Sequence, residues 1–248
     1  MRNTQRLDKI LSNFGYGSRK EIKELLKRGI IRVDGIVVND GAVHINPECS
    51  TVEIGKETLQ YRQFIYVMLN KPDGVVSATN DKKLKTVVDI LPDKLKCFDL
   101  FPVGRLDIDT EGLLIMTNDG QLAHDLLSPV KHVPKKYYAV IKGTVTIEDK
   151  FKFKEGIILD DGYKAMPADL SILRAGESSE IEIVLHEGKF HQVKRMFEAV
   201  DKKVDYLRRI EMGNLILDEG LKTGECRELS DTELFELKNH IEKQNKDR

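Results

Sequence analysis

The chain changes rhythm close to residue 60, and no other feature limits its possible folds as much. Ahead of that point apolar residues recur in short runs. "RLDKILSNF", from Arg6 to Phe14, sets Leu7, Ile10, Leu11 and Phe14 on one stripe of a short helix. "GYGS" interrupts it. Ser18, with Glu21 three residues later, is a capping-box signature for a second helix, "RKEIKELLKRG", which turns Ile22, Leu25 and Leu26 inward and stops at Gly29. "IIRVDGIVVND" then reads as two β-branched strands around Asp34-Gly35, a two-residue hairpin signal, and "STVEI" adds a third. The polar "GKETLQYRQ" follows as a linker.

From Phe64 onward the chain alternates strands with single helices. It runs through "IYVMLNKP" and "KTVVDILP" to "GRLDIDTEG", whose apolar continuation "LLIMT" ends in an Asn-Asp-Gly turn at 118–120. "QLAHDLLSP" reads as a short helix, "KKYYAVIKG" and "SEIEIVLHEG" as strands, and "KFHQVKRMFEAV" as a helix with Val193, Met196, Phe197 and Val200 on one face. Mixed order with hairpin-type connections predicts an α+β protein whose larger domain is built on a mixed, mostly antiparallel sheet. The expected layout is a small domain over residues 1–60, a larger one over 61–240, and a polar, fraying tail at 241–248.

The 248 residues carry 40 Lys and Arg against 41 Asp and Glu, so a net charge of −1 gives no bulk attraction to nucleic acid. Any basic surface has to come from segregated charge. Three distant cysteines, Cys49, Cys97 and Cys226, fit neither a disulfide framework nor a zinc site and point to the reducing cytoplasm. The first residues lack the apolar core of a signal peptide, and no run approaches the roughly 20 apolar residues that span a bilayer. No membrane role is expected.

Charge is segregated on the second helix. Arg19, Lys23 and Lys27 repeat at helical spacing beside Lys20 and Arg28, opposed only by Glu21 and Glu24. Such an edge suits phosphates, although a merely solvated face is the plainer explanation. The stretch "RLDKILSNFGYGSRKEIKELLKRGIIRVDGIVV" resembles the small RNA-binding module first described in a small-subunit ribosomal protein, the alpha-L motif. The resemblance implies recognition of RNA by shape and backbone. It makes Lys20, Lys23, Lys27, Arg28 and Arg32 the candidate contacts.

"GRLDIDTEG" packs an arginine and two carboxylates between glycines ahead of an apolar strand. Taken alone, Asp109-Thr110 could cap a turn and Asp107 could pair with Arg105. Together with "NKPDG" at 70–74, "KKYYAV" at 135–140 and "GKFHQVKRMF" at 188–197, the motif resembles the pseudouridine synthases, and in detail the group that modifies one uridine of 16S ribosomal RNA. The resemblance implies that fold, and it makes Asp107 the catalytic residue. Asp109, two positions on, would face the other side of an extended chain and keep a turn role. Tyr137 matches a Lys-x-Tyr element able to stack on uracil, and Lys194 matches the basic residue of an HQ-aliphatic-basic motif. Arg195 points about 100° from Lys194 on a helix, toward phosphate or solvent. Arg105 is implied as a gap filler or phosphate contact for a flipped base. Lys71 and Lys135, within the same motifs, complete the expected RNA contacts.

The implied reaction breaks the bond from ribose C1′ to N1 of uracil, turns the base, and joins C1′ to C5. A carboxylate serves it by attacking C1′, by adding to the ring, or by removing the 2′ proton, and the sequence leaves these open. A neighbouring cation would keep that carboxylate ionised under a base that dries the pocket. No cofactor is implied and no metal is expected, since His124, His132, His186 and His191 lack ligand spacing. His191 and Gln192 are expected to fix the helix that carries Lys194. The expected partner is 16S rRNA or the assembling small subunit, met by a monomer. "SPVKHVPKKYYAV" and the lack of a long basic C-terminal extension favour the small subunit over large-subunit rRNA, where sister enzymes share module and motif. A catalytically silent RNA-binding or ribosome-assembly factor is the other class; Asp107, Tyr137 and Lys194 together argue against it.

Overall fold

The computed structural model describes residues 4–47, 49–59 and 61–246, in two compact units. The first contains residues 1–65 and also 91–100, a segment that the linear reading assigned to the larger domain. Its helices run Leu7–Asn13 and Arg19–Lys27, and the second starts on the full capping box, with Ser18 and Glu21 each satisfying the other's backbone amide. A four-stranded sheet follows, ordered Ile36–Val37, Ile31–Val33, Val52–Ile54, Glu57–Thr58. The turn between its first two strands is Asp34-Gly35, with both φ positive at 51° and 79° as a tight hairpin of this hand demands. Leu7, Ile10, Leu11, Ile22, Leu26, Ile31 and Val52 close the core. Each contributes on the order of 1.5–3 kcal/mol of burial. Phe98, from the inserted segment, meets the ring of Phe14 edge-on at 5.4 Å.

The second unit is a nine-stranded mixed sheet. Its path runs Asp169–Arg174, Ser178–Leu185, Lys135–Lys142, Lys203–Met212, Glu111–Thr117, Tyr66–Lys71, Cys226–Glu228, with Leu215–Ile216 and Phe101–Pro102 paired at the side. Every pairing is antiparallel except that of Lys203–Met212 with Glu111–Thr117, held by Arg208 opposite Glu111 and Arg209 opposite Gly112. Gly112 lies at φ 99°, and a Cβ there would sit 2.2 Å from the Arg209 carbonyl oxygen. The glycine of "DTEG" is therefore what lets the two halves of the sheet meet. One core lies on each half, around Phe153, Ile181, Met196 and Phe197 on one and Met68, Leu113, Ile115 and Leu126 on the other.

Three local readings change. The Asn-Asp-Gly turn is a helix start: Asp119 accepts the amides of Gln121 and Leu122 at the head of Gly120–Leu127. "KTVVDILP" forms no strand, only a bridge from Thr86 to Val76 and turns. The polar tail is helical, in Asp231–Lys246, and the last two residues lie outside the described ones. No helix among the described residues is long and apolar enough to cross a membrane.

Candidate active site

The segment 105–110 is not extended. The Thr110 amide donates to the Asp107 carbonyl at 3.1 Å, closing a turn over Ile108 and Asp109. "NKPDG" and the residues after it lash that turn to the sheet. The Lys71 ammonium, at the end of the buried Tyr66–Lys71 strand, donates to the carbonyls of Pro72, Ile108 and Thr110 at 3.0, 3.1 and 2.9 Å. The Gly74 amide donates to Ile108 at 3.0 Å, and the Ser77 hydroxyl donates to the Leu106 carbonyl while accepting the Leu106 amide. Lys71 is 0 % exposed, and burial pushes its pKa down to about 8, with Asp73 and Asp109 opposing the shift. The expectation that Lys71 contacts RNA is thus corrected. It closes an apolar strand and spends all three N–H groups on the protein backbone.

Asp107 projects from this turn into an open pocket lined also by Arg105, Thr110, Tyr137, Glu187, Lys189 and His191. Two basic side chains approach the carboxylate. The Lys194 ammonium stands 3.6 Å from one oxygen and His191 Nε2 3.6 Å from the other. Lys194, on the helix Gln192–Glu198, is held more tightly by Asp109, at 2.6 Å. Asp109 therefore does not face away from Asp107, as alternation along an extended chain would require; a turn puts both carboxylates around one ammonium. Burial raises the Asp109 carboxyl, and the Lys194 bond and charge overcome that to hold it below its ordinary value. Among the described residues Arg105 has no carboxylate partner, so the pairing of Arg105 with Asp107 does not form. The Thr110 side chain, 2 % exposed, lines the pocket with its hydroxyl unpartnered.

Tyr137 reaches the pocket from Lys135–Lys142, on the face that packs against the core, while Tyr138 points across the strand to Tyr206. The other rim is the segment 187–192. Buried Glu187 accepts the Tyr163 hydroxyl, the Met166 amide and the Gln192 side-chain amide, and Gln192 also accepts the Lys189 amide. Gln192 thus fixes the helix start, whereas His191 turns to Asp107. That role of His191 is missed by a sequence reading that weighs it only as a metal ligand or a helix brace.

A family model described as RNA pseudouridylate synthase matches residues 65–199, the span holding this pocket. The chain belongs to that family. A model described as S4 domain matches residues 5–49. Among relatives of this synthase, an uncharacterized RNA pseudouridine synthase of Bacillus subtilis is 48 % identical, over 94 % of this chain and 98 % of its own. A protein named ribosomal small subunit pseudouridine synthase A, from Vibrio cholerae, is 38 % identical over 94 % of this chain and 99 % of its own. A crystal structure of a pseudouridylate synthase superposes with a TM-score of 0.66 at 33 % identity, covering 94 % of this chain and 99 % of that one.

Two more expected RNA contacts of the synthase domain are corrected. Lys135 is 8 % exposed and donates to the Val133 carbonyl at 2.7 Å; burial, then the charge of Arg209, brings it down to about 8. Arg195 diverges from Lys194 as helical geometry requires, but it meets protein: its guanidinium pairs with Asp160 and Asp161. In the S4 unit Lys20, Lys23, Lys27, Arg28 and Arg32 are all exposed. Lys27 is paired with Glu24 at 3.0 Å, and Arg32 donates to the Gly35 carbonyl of its own hairpin.

Proposed function

We propose that this synthase converts one uridine of 16S ribosomal RNA to pseudouridine, with Asp107 as the catalytic carboxylate. The observation that carries the reading is the convergence of Asp107, His191 and Tyr137 on one pocket of the synthase domain, with the Lys194 ammonium 3.6 Å from the Asp107 carboxylate. The reaction breaks C1′–N1 and makes C1′–C5, with a proton leaving C5 and one arriving at N1, so it is balanced without a cofactor. Asp107 supplies the anion. Lys194, with 19 % of its side chain exposed, sits close enough to offset that negative charge once a base excludes water. Tyr137 offers a ring face to the uracil, and Arg105 offers a polar contact to the flipped nucleotide. Lys20, Lys23, Lys27, Arg28 and Arg32 of the S4 unit hold phosphates.

The small-subunit target is favoured by the relatives named for it, which align over nearly their whole length. The enzyme acts as a monomer in the cytoplasm, on the rRNA or on the assembling subunit. Mapping pseudouridines in 16S and 23S rRNA from cells with and without the protein tests this. Loss of one site in 16S is expected. Loss confined to 23S overturns the target, and no loss in either overturns the catalytic reading.

A further inference from the structure

The pocket rim leaves one large apolar ring in solvent. Phe190 is 72 % exposed. One of its faces lies on His191, with ring centroids 3.8 Å apart and planes inclined by 17°. His191 in turn faces Asp107, so the exposed ring is one stacking step from the candidate carboxylate. The segment is pinned. Glu187 and Gln192 anchor it at both ends, the Lys189 ammonium lies 4.6 Å over the Tyr163 ring, and His191 is held at φ 48°, a conformation that β-carbon-bearing residues seldom adopt. A phenylalanine fixed in this way with a bare face is not explained by packing, because it belongs to neither core of the unit.

What fits a bare, rigid aromatic face beside a site for an extracted base is another base. Extraction of a uridine opens the stack on both sides of it, and single-stranded RNA is held elsewhere by aromatic rings covering such faces. We infer that Phe190 is the stacking platform for the RNA base adjoining the target uridine, with His191 as the inner ring of the same stack. Lys189 and Arg105, both exposed and both lining the same pocket, supply cations for the flanking phosphates. This deepens the functional reading above and rests on it.

The chain contains no tryptophan, so Phe190→Trp in the full-length protein installs a single indole reporter at an exposed position. Binding of transcribed 16S rRNA should quench its emission. A transcript with an abasic residue beside the mapped uridine should bind about 5- to 100-fold more weakly and, at saturating RNA, leave the emission unquenched. Phe190→Leu keeps apolar bulk without a flat ring, and should lose about 5- to 100-fold in kcat/KM, whereas Phe190→Tyr retains it. On the abasic transcript the deficit of Phe190→Leu should vanish. RNA bound without quenching, full activity of Phe190→Leu, or a deficit that persists on the abasic transcript each overturns the platform. Quenching by RNA in which the wild-type protein forms no pseudouridine would refute the reaction and keep the platform; failure to bind the transcript refutes both.

Discussion

Replacing Lys71 by methionine separates the stability of the fold from the placement of Asp107. Methionine keeps the apolar stem and deletes the ammonium that meets Pro72, Ile108 and Thr110. Ile108 retains the amide of Gly74, so the carbonyls of Pro72 and Thr110 bear the loss, at about 1–3 kcal/mol each or roughly 2–6 together. Against that stands the desolvation the ammonium no longer suffers. Its pKa of about 8 in place of 10.5 corresponds to roughly 3 kcal/mol. The net runs from about 1 kcal/mol gained to about 3 lost, inside the roughly 5–15 kcal/mol that holds a domain. Turnover has no such offset. The ammonium fixes the turn carrying Asp107, and a displacement of about 1 Å at a reacting group costs on the order of 100-fold. Urea midpoints and single-turnover pseudouridine formation on saturating rRNA measure the two quantities. The sign with pH is also set: the unfolded lysine binds its proton more tightly than the native one, so the stability Lys71 contributes relative to methionine rises between about pH 8 and 10.5 and falls back as pH drops through 8. A Lys71→Met protein that folds and turns over at the wild-type rate would refute the tether.

Asp107→Asn should abolish product while RNA affinity stays within a few fold in a binding titration. Asp109→Asn, which loosens Lys194 but leaves Asp107 in place, should cost about fivefold or less, the scale of an exposed ion pair. In salt titrations of rRNA binding, Lys23→Glu should reduce the log-log slope by about 0.7–0.9 for each phosphate left without its cation, and Lys27→Glu by less, because Glu24 already offsets that charge. Arg195→Met should leave rRNA affinity unchanged and lower the thermal midpoint, since its guanidinium ties Asp160 and Asp161; weakened binding at unchanged stability would return it to the RNA surface.

What the sequence made legible was local chemistry with a short range. The capping box at Ser18 and the Asp34-Gly35 hairpin are decided by residues within a few positions, and both form. The divergence of Lys194 and Arg195 follows from helical geometry alone, and they meet different carboxylates. The errors come from assuming the wrong local geometry or from partners far along the chain. Asp107 and Asp109 alternate only if the chain is extended, and the amide of Thr110 makes it turn. Arg195 looks free until Asp160 and Asp161 are brought beside it. Lys71 is the instructive case. A lysine two places beyond the apolar run "IYVML" already carried a signal, because a strand buried along its length cannot turn its last residue to solvent without leaving the sheet. Such a lysine has to find acceptors inside the protein, and an ammonium with three N–H groups needs about three. The turn that bears Asp107 supplies two of them, so the burial that hides Lys71 from RNA is what binds the two motifs into one site.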